Sequence, residues 1–289
     1  MKMVLHLSLF LLSLHANAES KPILQKIADL EATTQGHLGV YALNTANQET
    51  IAYRFNERFP TGCTSKVMGV AALLEKASHD ASLLKQRVMF SKKDSTNWMP
   101  VTKKHFQEGM TLQELASAAI SQSDNTAMNL ILKSIGGIEG MNTFARSIGD
   151  TVFRQDHGWP GEAHSGGRGN IHDSSTPSAM VKSLQAIAFG NILPPHEREL
   201  LLTWMKATTS GDKRIRAGVP RGWIVGNKTG TGFAYGTTND LAIIWPPKGN
   251  PILLGVFYTS DDKDAGKRED VLAEVTRLVL ETFLERKQT

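Results

Sequence analysis

Residues 223–258 read WIVGNKTGTGFAYGTTNDLAIIWPPKGNPILLGVFY, and this stretch decides the fold. Trp223 to Lys228, Thr238 to Trp245 and Ile252 to Tyr258 are rich in β-branched and aromatic residues and are separated by glycine and proline clusters, the pattern of successive strands. Working outward, Gly266 to Arg286 carries an apolar stripe through Val271, Val275, Leu278 and Thr282, which predicts a long helix in need of a sheet to cover. At the other end, Lys21 to Thr34 has helical spacing, and His37 to Leu43 and Glu49 to Tyr53 flank the turn Asn44 to Asn47 as a strand pair.

Between Cys63 and about Leu202 the pattern is helical, with segments at Thr64 to Ala77, Thr111 to Ser117, Thr126 to Ile135 and Pro177 to Ala188 and no convincing strand. The economical assembly is a mixed α/β fold: one antiparallel sheet from both chain ends, flanked by terminal helices, with an all-helical domain inserted. On this reading 19–61 and 207–289 form the α/β domain and 62–206 the helical one. The latter includes a glycine-rich loop at 156–173, DHGWPGEAHSGGRGNIHD, too long and polar for regular structure.

The first eighteen residues, MKMVLHLSLFLLSLHANA, place Lys2 before a short apolar run and end on Ala16 and Ala18, the form of a cleaved export signal. Periplasmic localisation follows as an expectation, with no membrane association after cleavage. The formal net charge of +4 is mild and scattered, which argues against a nucleic-acid partner. The histidines lack metal-ligand spacing such as H-E-x-x-H, and GTGFAYG lacks the strand-loop-helix setting of a dinucleotide site, so neither metal nor cofactor is expected. The single cysteine cannot form an internal disulfide. A lone buried thiol is ordinarily inert packing; its neighbours here argue otherwise.

Cys63-Thr64-Ser65-Lys66 follows FPTG and opens a predicted helix, which puts Lys66 one turn beyond Cys63 on the same face. Ser123-Asp124-Asn125 lies within AISQSDNTAMNLIL, and Lys228-Thr229-Gly230-Thr231 ends a predicted strand. Each alone is weak, and SDN by itself reads as a helix cap. All three in this order, at domain-scale spacing, match the S-x-x-K, S-D-N and K-T-G set of serine acylases, with cysteine in the serine's place.

With these motifs, and with NWMPVTKKHFQEGMTLQELASAAISQSDNTAMNLIL and NKTGTGFAYGTTNDLAIIWPP, the chain resembles class A β-lactamases over essentially its whole mature length. The resemblance implies a β-lactam amide hydrolase acting through a covalent acyl-enzyme on Cys63, with the active site between the two domains. It makes Lys66 the proton acceptor and Ser123 the relay to the ring nitrogen, with the N–H groups of Cys63 and Thr231 as oxyanion hole. Asn125 would hold the substrate's side-chain amide, and Lys228, Thr229 and Gly230 the strand that binds its carboxylate. Trp98 stands at the family's aromatic gate, and Arg214 matches an arginine that reinforces carboxylate binding in some relatives. Where other relatives carry a second arginine, Glu269 stands, so one guanidinium is expected.

Two departures matter. A thiolate is intrinsically more nucleophilic than a hydroxyl, and a helix N-terminus beside an ammonium favours its ionisation; sulfur also makes a longer bond, which changes the fit to an oxyanion hole shaped for oxygen. Anchored on Pro160, the family's deacylating glutamate becomes Trp159; the nearest carboxylate is Glu162, and His157, His164 and His172 sit in or beside the loop as alternative bases. A monomeric β-lactam hydrolase with slow deacylation is the first reading. A covalent β-lactam or peptidoglycan-fragment sensor, and a thiol-dependent cell-wall peptidase or transacylase, stay open beside it.

Overall fold

The computed structural model describes residues 22–161 and 166–286. The export signal read at 1–18, and Glu162 and His164 in the loop, lie outside these described residues. Five strands form one antiparallel sheet in the order Glu49–Tyr53, Gly36–Asn44, Ile252–Ser260, Thr238–Trp245, Ile224–Thr231. Both chain ends therefore meet in one sheet, as the sequence pattern predicts.

The central strand Ile252–Ser260 is buried along all nine residues and paired on both edges. That explains why it reads as a continuous apolar run instead of an alternating one. The period-2 geometry still sorts its side chains. Leu254, Val256 and Tyr258 join Ile23, Ile27, Val271, Val275 and Val279 beneath helices 22–32 and Glu269–Glu285. Leu253 and Phe257 face the other way, toward Phe59, Leu184 and the helical layer.

In that layer helix Lys66–Ser78 is the central post, buried along most of its length. It accepts neighbours at close range because Gly69 has no side chain: a Cβ there would lie 2.4 Å from the Met128 Cε. Helix Leu112–Ser121 is set by a capping box, with the Thr111 hydroxyl accepting from Glu114 N and the Glu114 carboxylate accepting from Thr111 N. Helix Pro177–Phe189 starts with proline in its first turn and Thr176 as cap.

The expectation of a strand-free middle region needs correction. Arg87–Val88 pairs with Met110–Thr111, and Ser174–Ser175 pairs with Phe59–Pro60. Two-residue ladders are too short to leave a periodic signal, yet the second ties the end of the glycine-rich loop to the chain leading into Cys63. No helix among the described residues is long and apolar enough to cross a membrane.

Candidate active site

Cys63 lies in the 3-10 turn Gly62–Ser65 that opens helix Lys66–Ser78. The turn is held by side chains folding back on it: the Thr64 hydroxyl donates to Thr61 O at 2.7 Å and the Ser65 hydroxyl to Gly62 O at 2.9 Å. Gly62 adopts φ +54°, and a Cβ on it would come within 3.1 Å of Thr231 N, so the turn and the end of strand Ile224–Thr231 approach as closely as they do only with glycine here. Cys63 and Thr231 are thereby brought to one place.

Lys66 is fully buried. Its Nζ donates to Ser123 O at 2.7 Å and to Asn125 Oδ1 at 2.6 Å, with Ser123 Oγ at 3.5 Å. Cys63 Sγ lies 3.8 Å from the same Asn125 oxygen. Lys228, also buried, donates to Ser123 Oγ at 2.8 Å and to Thr229 O at 3.0 Å. Two lysines from distant parts of the chain thus converge on one serine hydroxyl. Burial lowers the pKa of both, Lys228 to about 7, and each feels the nearby thiol in the opposite sense.

Ser123 reaches this position through a left-handed backbone, φ +55°, at the mouth of helix Asn125–Ser134. Its neighbour Asp124 is indeed a helix cap, accepting from Ala127 N at 2.9 Å. The same carboxylate accepts from Val101 N, Thr102 N and the Thr102 hydroxyl at 2.9–3.0 Å, which fixes the segment carrying Trp98. Trp98 is 55% exposed on the rim, its indole N–H donating to Gln122 O. The structure brings the three motifs and Trp98 into one cleft.

Arg214 is 4% exposed, not a solvated surface residue. Its guanidinium donates to Gly230 O, to Asn239 O and to the Thr231 hydroxyl at 2.8–2.9 Å, and pairs with Glu269 at 3.0 Å. It braces the end of the Lys228–Thr231 strand, and Glu269, which stands where a second arginine was the alternative, neutralises it. Beneath the same strand Asp240 is buried and accepts from Asn227 Nδ2 at 2.9 Å; burial pushes its carboxyl pKa up. Three polar residues carry no motif signal at all: Ser210, whose hydroxyl lies 2.8 Å from that of Thr229; Asn97, which accepts from Asn125 Nδ2 at 3.0 Å; and Asn129.

Asn129 clamps the loop. Its side chain accepts from Trp159 N at 2.8 Å and donates to Trp159 O at 2.6 Å, so the indole is pinned through its own backbone. Trp159 is 2% exposed, and its ring centroid lies 5.7 Å from Lys66 Nζ. Farther along, buried Asp173 accepts from Gln155 Nε2, Asp156 N and His157 N and meets His157 Nδ1 at 2.6 Å, while its carbonyl accepts from Thr61 N and the Thr61 hydroxyl. His157 is therefore part of the loop's anchor. His172 stands near Arg154 and Asp156 on the surface.

Residues 22–283 match the model of the β-lactamase enzyme family, and the chain belongs to that family. It is 46% identical to "Beta-lactamase 3" of Bacillus cereus over 89% of this chain and 80% of that one, and 43% identical to a β-lactamase of Proteus vulgaris over 90% and 95%. Among solved structures, a β-lactamase from Desulfarculus baarsii superposes with a TM-score of 0.89 at 41% identity, covering 91% of this chain and 98% of that one.

Proposed function

We propose that the protein opens the β-lactam amide by acylation of Cys63, and that the acyl-enzyme is a thioester whose hydrolysis is slow. The observation that carries this reading is the convergence of Lys66 and Lys228 on Ser123 Oγ beside the Cys63 thiol. The substrate carboxylate docks on Lys228 and the Thr229 hydroxyl, and its side-chain amide on Asn125. Lys66 takes the thiol proton, and Sγ adds to the lactam carbonyl. The tetrahedral oxyanion sits between the N–H groups of Cys63 and Thr231. Ser123, replenished from Lys228, gives its proton to the ring nitrogen as the C–N bond breaks.

Two features support slow release. Trp159 stands where relatives place a water-activating glutamate, and sulfur shifts the acyl carbonyl away from where an oxygen ester would hold it. Persistence of the adduct is the sensor reading of the same site. The apolar run ending on Ala16 and Ala18 supports the reading of an exported, periplasmic monomer.

Intact mass measured at intervals after mixing with a penicillin tests the proposal, with Cys63→Ser and Cys63→Ala run beside it. An adduct on the parent protein that is missing from Cys63→Ala, and that decays as penicillin is consumed, supports it. An adduct that never decays converts the enzyme reading into the sensor reading. Absence of any adduct overturns both.

A further inference from the structure

A cavity of about 260 Å³ lies between the turn that follows helix Gly137–Ser147 and the first half of helix Pro177–Phe189, and no residue of the three motifs lines it. Asp150, Ser178 and Ser183 line it although each is buried, while Asn56, Thr151 and Lys182 line it from the surface. Buried polar side chains around open space call for polar atoms to fill it.

The two charges that share this cavity do not pair with each other. Asp150 Oδ1 accepts from Val152 N at 2.9 Å and from Phe153 N at 2.8 Å, which uses both its lone pairs. Oδ2 accepts the Ser183 hydroxyl at 2.7 Å and keeps a lone pair. Arg146 comes to 4.0 Å from Oδ1, but its N–H groups go to the carbonyl oxygens of Asp150 and Phe153. Lys182 has no carboxylate partner among the described residues; its ammonium lies 5.8 Å from the Tyr41 ring centroid. Asn56 accepts from the Ser178 hydroxyl through Oδ1 at 2.7 Å, and its Nδ2 meets no acceptor among the described residues. Successive helical residues point roughly 100° apart, so Ser183 turns inward to Asp150 while Lys182 stays at the mouth. The cavity thus has an acceptor pole at its floor and a donor pole at its rim.

We infer that this cavity binds a small zwitterion, an α-amino acid with a short side chain. Its ammonium group donates to Asp150 Oδ2 and Ser183 Oγ, and its carboxylate accepts from Lys182, Asn56 and the Thr151 hydroxyl. Both ends are then charge-assisted hydrogen bonds. A simple anion would leave the floor carboxylate unmet, and a simple amine would leave Lys182 unmet. Ile148 and Ala179 in the lining suit a hydrogen or methyl substituent between the poles.

The inference is independent of the chemistry at Cys63. Glycine, L-alanine and D-alanine titrated into nitrogen-15-labelled protein are expected to shift the amides of 149–152 and 178–183, with half-saturation for glycine near roughly 1 mM, in keeping with so small a ligand. Acetate and methylamine, each carrying one of the two charges, should bind roughly tenfold more weakly or worse. Lys182→Met, at an exposed position that leaves the fold in place, and Ser183→Ala should each weaken glycine by a similar factor, and Cys63→Ala should leave it unaltered. No saturable shift in the parent protein, shifts that survive Lys182→Met, or acetate binding as tightly as glycine overturns the assignment.

Discussion

The strand side of the site, Lys228 to Thr231 with Arg214 and Asp240 behind it, is polar and reciprocally hydrogen-bonded, whereas the loop side sets an indole over a lysine and, among the described residues, leaves its N–H unpaired. The first wall is the strand end proposed above to hold the substrate carboxylate, and its polar groups satisfy one another. The second wall carries Trp159, held by Asn129 through its backbone, at the position the resemblance gives to the deacylating residue. On the proposed function, capture and release of substrate rest on separate elements.

The largest effect that can break this contrast concerns Lys228. Its folded pKa of about 7 lies below the ordinary lysine value of 10.5, so the unfolded chain binds more protons between those two values. Unfolding free energy therefore rises with pH through that window, by up to roughly 4 kcal/mol. Urea denaturation from pH 7 to 10 checks this, and Lys228→Met is expected to flatten the slope and stabilise the protein near neutrality while weakening carboxylate-bearing substrates. A flat profile in the parent protein would mean that the strand wall accommodates its charge without cost.

Next comes Trp159→Glu, which puts a carboxylate on the loop wall. The lifetime of the Cys63 adduct should fall roughly 100-fold, about 2.7 kcal/mol in barrier. An unchanged lifetime would place the obstacle in the thioester instead of the loop. Asn129→Ala removes two hydrogen bonds to the Trp159 backbone and should cost about 2 kcal/mol in urea unfolding, with faster proteolysis within the loop. The smallest effect belongs to Asn97→Ala. Freeing the Asn125 amide should raise KM about fivefold, near 1 kcal/mol, and leave the maximal acylation rate unaltered.

The contrast between the walls also marks what could be read from the chain. Strands 223–258 announce themselves because apolar runs end at glycine and proline, and the sheet's closure from both ends follows from having two terminal helices to place. The S-D-N and K-T-G residues are legible because they sit at a helix mouth and a strand end, where spacing fixes direction. Arg214 was visible as a charge, yet its burial and its pairing with Glu269, far along the chain, were not. Asn97, Ser210 and Asn129 act through single contacts with remote residues and belong to no local pattern. Trp159 could be named as a substitution, but the cover it gives Lys66 depends on Asn129 holding its backbone, which no periodicity encodes.

The chain has one thiol in 289 residues, and it is partly exposed within reach of Asn125. A maleimide dye or spin label added to the unaltered protein would therefore attach at a single known address, beside Lys66 and Asn125, with no background cysteine to remove. Occupants of the cleft that never react could be followed by their protection of that address, so weak ligands of either wall become measurable by the rate at which they slow labelling.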